Sequence, residues 1–132
     1  NGFVYGKLYN WYAINDKRGL APEGWRIPCK EDWELLMKSF GGPNIASKYL
    51  MSRTEWRNKN GNNKSGLDIK PAGGCLNNGK FKDFGFNAYF WCCESEKSKD
   101  EAYCYIVNYY LPMLTSLSKN YGLSVRCLKN EY

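Results

Sequence analysis

Residues 121–128 read Tyr-Gly-Leu-Ser-Val-Arg-Cys-Leu, and they constrain the fold more than any other stretch. Leu123, Val125 and Cys127 alternate with Ser124, Arg126 and Leu128, the two-residue period of a strand with one face buried. Gly122 reads as the turn that starts this strand, and only residues 129–132 follow it. A chain that ends on its most strand-like segment has to insert that segment into a sheet laid down earlier. The fold is therefore expected to close from its C-terminal side.

Ahead of this segment, short apolar runs alternate with turn residues. Residues 3–14, with Val4, Tyr5, Leu8, Tyr9, Trp11 and Tyr12 around Gly6, read as strand and turn. Residues 15–24 form a loop closed by Pro22 and Gly24, and Pro28 keeps Trp25, Arg26 and Ile27 extended. Trp33, Leu36, Met37 and Phe40 fall at i, i+3, i+4 and i+7, one apolar helical stripe, which Gly41-Gly42 stops. Cys29 stands at the N-cap of that helix, where Ser or Thr would pair with Asp32. This is expected to be a local defect of about 1 kcal/mol. Pro43 starts a second helix over residues 44–50. Residues 56–65 are an Asn- and Gly-rich surface loop, 66–70 a short strand ended by Pro71-Ala72-Gly73-Gly74, and 77–85 a turn-rich connector. Two strands follow, 87–91 and 102–110, joined by the charged loop 94–101, with Pro112 ending the second. No repeat or linker interrupts residues 1–132, so they are expected to form a single α+β domain.

The formal net charge is +6, but the Lys and Arg residues come as singles and pairs among Asn and Gly. No run has the density of a nucleic-acid arm or a polybasic membrane patch. The charge reads as solubility with a weak preference for acidic partners, and neither nucleic-acid binding nor membrane insertion is expected. No apolar run approaches the roughly 20 residues of a membrane span. Asn1 is not an initiator Met and strand-like sequence begins at Phe3. The chain therefore reads as the C-terminal part of a longer protein, joined through its N-terminal side. Histidine, the commonest general base and metal ligand, is missing from the sequence. Cys29, Cys75, Cys92, Cys93, Cys104 and Cys127 match neither a disulfide scaffold nor zinc spacing. Most are expected to be free thiols, and no metal or cofactor is expected. If residue 102 lies opposite 94, Cys104 falls opposite Cys92, placed for a cross-strand bridge.

Ordered blocks along the chain carry a family resemblance. They are residues 5–13 (Tyr-Gly-Lys-Leu-Tyr-Asn-Trp-Tyr-Ala), residues 19–28 (Gly-Leu-Ala-Pro-Glu-Gly-Trp-Arg-Ile-Pro) with Asp32-Trp33, Gly66-Leu67 with residues 71–74, Tyr89-Phe90-Trp91, and the closing stretch through Lys129. Together they resemble the Fibrobacter succinogenes major paralogous domain, a group related to C-type-lectin-like and formylglycine-generating-enzyme-like folds. The resemblance implies a C-type-lectin-like fold, with two helices packed on a small, mostly antiparallel twisted sheet and long irregular loops. Family members often carry Cys where this chain has Ala21, and Ser-Ser where it has Cys92-Cys93. If the first of these cysteines bridges the closing one, Cys127 has lost its partner.

Three functions are distinguishable by their chemistry. Relatives of this fold that oxidise protein cysteines with copper use two thiols at a fixed short spacing. Neither Cys104 with Cys127 nor the adjacent pair reproduces that spacing, and no His is present to lower a thiol pKa. A calcium-dependent lectin needs clustered carboxylate and amide oxygens. Its Glu-Pro-Asn and Trp-Asn-Asp triplets do not occur, which leaves Asp83, Asn87, Glu94 and Asp100 as candidates. The third function is a metal-free display domain. Tyr and small polar residues give contact area at low entropic cost, and Tyr103, Tyr105, Tyr109 and Tyr110 crowd the last hairpin. C-type-lectin-like domains are also the usual targets of diversity-generating retroelements, whose adenine mutagenesis turns Asn and Ser codons into Tyr and Cys codons. The resemblance thus implies a variable surface. The expectation is a non-catalytic adhesin or receptor-binding domain on a cell surface, pilus tip or phage tail fibre, with a protein or glycan ligand. Its contacts are expected within residues 90–113, at Phe90, Cys92, Cys93, Glu94, Tyr103, Tyr105, Tyr109, Tyr110 and Met113, with about half of the tyrosines facing out.

Overall fold

The computed structural model describes residues 2–131, and their side chains apart from those of Phe3, Glu94 and Ser95. In chain order the elements are α1 (Gly2–Tyr5), α2 (Trp11–Ile14), β1 (Trp25–Arg26), α3 (Lys30–Ser39), α4 (Pro43–Leu50), β2 (Gly74–Cys75), β3 (Phe81–Lys82), β4 (Ala88–Glu96), β5 (Glu101–Val107), β6 (Met113–Ser118) and β7 (Leu128–Lys129). The three longest strands form one antiparallel sheet in the order β4-β5-β6, and the short strands pair antiparallel as β1-β7 and β2-β3. This is an α+β arrangement of helices with small antiparallel sheets.

Alternation along the central strands builds two cores, one on each face of the sheet. Ala88, Phe90 and Cys92 of β4 and Tyr105 and Val107 of β5 point to the side covered by α3 and α4, where they meet Trp33, Met37, Ala46 and Leu50. Tyr89, Trp91, Ala102 and Cys104 point the other way, onto Trp11, Ile14, Ile27 and Leu123. Trp33 is the centre of the first core, its ring stacked on Phe90 at 5.0 Å and on Tyr105 at 5.6 Å between centroids. The helical stripe predicted from the sequence is thus in place, with Leu36 and Phe40 at its edge.

In the closing segment Leu123 is buried as predicted and Val125 and Cys127 are half-buried, but Ser124, expected to face out, is buried too, and the segment is not one regular strand. Gly122, Leu123 and Ser124 each bridge a different part of the chain, Cys75, Tyr9 and Phe90 respectively. Leu123 exchanges backbone hydrogen bonds with Tyr9 at 2.9 and 2.8 Å, and Gly122 does so with Cys75 at 2.7 and 2.8 Å. The Ser124 N–H donates to Tyr89 O at 2.9 Å, and its carbonyl accepts from the Trp91 N–H at 3.2 Å. Gly122 is no turn. It is glycine because a Cβ there would stand 3.3 Å from both the Cys75 and the Leu8 Cβ atoms.

Other sequence readings need correction. Residues 3–14 hold two helical turns, not a strand, because the Asn10 carboxamide accepts from the Ala13 N–H at 3.0 Å and caps α2. Trp11 and Ile14, three residues apart, then face the core together. Residues 66–70 contain a single bridge, Ile69 to Met51, since Asp68 turns the backbone at φ +52°. Trp56 opens a polar loop yet is buried, its indole N–H donating to Ser52 Oγ at 3.0 Å and Ile69 O at 3.2 Å. Strand β6 carries Thr115, Ser116 and Ser118 and is only half-buried along most of its length, so its apolar signal is weak. The Cys29 cap is not a simple defect. Asp32 accepts from the Cys29 N–H at 2.9 Å and from its thiol at 3.1 Å, and the Arg26 guanidinium grips both carboxylate oxygens.

Between residues 91 and 96 the β4–β5 register slips: Trp91 stands opposite Cys104, but Glu96 stands opposite Ala102. Cys92 and Cys104 therefore lie on opposite faces, in different cores, and no cross-strand bridge joins them. Cys29, Cys75 and Cys127 are also free thiols. The slipped stretch is tied down from outside, the Cys93 N–H donating to Pro28 O at 2.9 Å. Beyond it, the buried Lys119 ammonium donates to Glu96 at 2.8 Å and to Lys99 O at 2.9 Å, and lies 4.5 Å over the Trp11 ring.

Two stability measurements check this architecture. Trp33→Ala removes the stacked centre of the first core and is expected to cost about 3–5 kcal/mol in a denaturant melt; a loss near zero would put Trp33 outside the core. The second concerns Asp32, whose carboxyl the Arg26 guanidinium holds well below the usual carboxylate range. A depressed folded-state pKa gives stability that is present above the unfolded value, near 4, and is lost as pH falls below it. Asp32→Asn is expected to lower stability by about 1–2 kcal/mol at pH 7 and to flatten the wild-type decline on acidification. Equal acid losses in the two proteins contradict this role.

Candidate functional site

The expected contact residues divide between core and surface. Phe90, Cys92 and Tyr105 are buried beneath α3 and cannot present a face, which corrects their placement in a binding surface. The cause is alternation: the even positions of β4 and odd positions of β5 are the ones that meet the helices. Tyr103 is half-buried at the edge of that core, with Lys30 Nζ 4.9 Å above its ring. Cys93 is half-buried in the slipped stretch, and the side chain of Glu94 lies outside the described residues.

Past the end of β5 the remaining candidates come together at the surface. Asn108 shapes this turn. Its side-chain oxygen accepts from the Leu111 N–H at 2.7 Å, and its amide nitrogen donates to Asn87 Oδ1 at 2.8 Å. Asn87 in turn donates to the Tyr89 hydroxyl at 3.1 Å, so the amides are fixed from β4 outward. The turn pushes out Tyr110 and Leu111, 66% and 65% exposed, with Met113 at 42%. Tyr109 stays half-buried, edge-on to Tyr110 at 5.0 Å, with Lys48 and Lys59 ammonium groups 5.0 and 5.2 Å from its ring centre.

Tyr109, Tyr110 and Leu111, but not Met113, bound a cleft of about 220 Å³. Trp56, Asn58, Lys59, Phe86, Asn87 and Asn108 line it with Tyr109, Tyr110 and Leu111. Phe86 is 41% exposed, and the Arg57 guanidinium lies 5.8 Å from its ring centre. No carboxylate lines this cleft, and among the described residues none pairs with Lys48, Arg57 or Lys59. Sequence reading missed Phe86, Asn58 and the three cations. All but Lys48, which lies in the last turn of α4, sit in loops with no periodicity, and only the Asn and Gly richness of residues 56–65 marked that loop as exposed.

Two wider clefts are less suited to a ligand. The wider of these, about 820 Å³, is mostly apolar between Tyr5, Leu8, Leu76, Phe81 and Phe84, and its Asn10 already caps α2. In the next, about 660 Å³, polar groups satisfy one another: Glu55 accepts from the Tyr5 hydroxyl, Lys70 pairs with Asp68, and Arg126 donates to Leu67 O. Among the described residues the calcium candidates are not gathered, and the side chain of Glu94 lies outside them. Asp83 and Asn87 share the Tyr89 hydroxyl at the start of β4, whereas Asp100 lies at the tip of the β4–β5 hairpin.

Four of the cysteines are held toward the protonated thiol. Burial pushes Cys92 up to about 12 and raises Cys104 further. Cys127 is raised by burial, and Cys29 by burial and its bond to Asp32. In native protein at pH 8, Cys92 and Cys104 are expected to resist alkylation and to react after denaturation, as mapped by mass spectrometry. Native labelling of either would show that its face of the sheet is open.

The family model of the Fibrobacter succinogenes major domain matches residues 1–129. Among curated proteins and among solved structures, none matches.

Proposed function

The chain belongs to the Fibrobacter succinogenes major domain family, and on that premise we propose that it is a non-catalytic ligand-binding domain with a C-type-lectin-like fold. Its binding face is the cleft at the β5–β6 turn, with Tyr110, Leu111, Met113 and Phe86 around it. The observation that carries this reading is the grouping of large exposed apolar side chains with three cations that pair with no carboxylate among the described residues. Contiguous apolar surface of this kind marks interaction sites, and Tyr, Met and Arg are the residues enriched there. The amide network from Asn87 to Leu111 supports a preformed face, which spares the cost of ordering it on binding. Raised thiol pKa values weigh against a thiol-dependent enzyme.

A variable surface fits part of residues 90–113. Tyr110 and Met113 can change without touching either core, so retroelement diversification is proposed for the turn alone. At Phe90, Cys92 and Tyr105 the same changes would strike packed side chains. Display on a cell surface or virion, as part of a longer protein, completes the proposal.

The test is to compare labelled wild-type domain with Tyr110→Ser/Leu111→Ser on a panel of intact cells and immobilised glycans. Wild-type protein should bind at least one member, and the variant should lose binding while keeping its stability within about 0.5 kcal/mol per site. Undiminished binding by the folded variant removes the face from the reading. A wild-type domain that binds nothing on the panel removes the function.

A further inference from the structure

We infer that the cleft beside Tyr110 takes an anionic pyranose, a sugar ring bearing a carboxylate or sulfate; this deepens, and rests on, the binding face proposed above. A pyranose has two kinds of surface. Its axial C–H bonds make an apolar face that lies against aromatic rings, and its hydroxyls form a polar edge that needs oriented donors and acceptors. The cleft offers both. Trp56 is in the lining but buried, with its indole N–H committed to Ser52 and Ile69, so the exposed ring surface comes from its neighbours. Phe86 and Tyr110 supply exposed rings. Asn87 and Asn108 each use one amide N–H in the network that fixes them, which leaves a second N–H on each nitrogen, already oriented.

Charge narrows the class. Lys59 lines the cleft, while Lys48 and Arg57 lie over its Tyr109 and Phe86 rings. With no carboxylate in the lining, an anionic group entering there meets only positive charge. A neutral sugar would leave these cations unused. A protein partner is less suited, because a stable interface asks for roughly 800 Å² on each side, and this site is a cleft of about 220 Å³ among three loops.

Calorimetric titration with four polymers tests the inference: polygalacturonate, dextran sulfate, unmodified dextran and polyglutamate, each at low and high salt. One or both anionic polysaccharides should bind at least about tenfold tighter than dextran and polyglutamate, and the stronger of the two identifies the acid. Lys59→Gln/Arg57→Gln should weaken that binding and flatten its salt dependence, and Tyr110→Ser should weaken it at both salt concentrations with the melting temperature held. Preference for dextran overturns the anionic assignment. Equal binding of polyglutamate overturns the sugar assignment. Binding that survives all three substitutions overturns the cleft. If no polymer binds, the sugar class falls, and the cell-panel comparison, read independently, still decides whether the face is a binding face.

Discussion

Three consecutive residues, Gly122, Leu123 and Ser124, hold the molecule together. Each uses its backbone hydrogen bonds on a different partner: the β2 segment, the N-terminal Tyr9, and the central strand β4. These partners come from separate parts of the chain, and direct ties between them, the Gly73–Ala88 bridge and the Trp91 indole N–H to Tyr9 O at 2.7 Å, add to the junction. A regular strand would pair with at most two neighbours, one on each edge. This segment reaches three because it stays extended without joining a ladder. Leu123 fills the second core at the same place, so backbone pairing and apolar burial reinforce each other. Closing contacts this distant carry a loop-closure cost that is recovered only when all of them form.

The parts of the fold legible in the sequence are those where one residue type repeats with one period. The α3 stripe is legible because Trp33, Leu36, Met37 and Phe40 have no competing reading. The two central strands are legible from aromatic density. Strand β6 was not, because it lies half-buried at a sheet edge where Thr and Ser serve as well as Val. The helical turns at residues 2–14 were hidden by β-prone aromatics; a single Asn cap decided the backbone there. Register was out of reach altogether. Nothing in the composition of residues 92–95 announces that β4 spends extra residues against β5.

The same physics explains what was legible in the candidate site. Tyrosine richness pointed to residues 90–113, yet richness does not assign faces, and Phe90, Cys92 and Tyr105 went to the core. The exposed pair Tyr110 and Leu111 lies past the strand, where alternation no longer applies and Asn108 sets the geometry. Phe86, Arg57 and Lys59 arrive from loops and Lys48 from α4, and their convergence is a tertiary fact. Only the coordinates bring Lys48 of α4, Lys59 of a loop and Tyr109 after β5 around one ring.

The slip between Trp91 and Glu96 bears on how such a domain can tolerate length change. Upstream of it, β4 has a different core on each face, so adding one residue anywhere in 88–91 would swap every side chain between them. Within residues 92–95 the ladder is already broken, and an added residue there would leave both cores in register. The buried Lys119, tied to Glu96 and Lys99, fastens the far side of the break. Insertions and deletions among relatives of this chain should therefore collect in this short stretch, with the faces of the sheet left intact on either side.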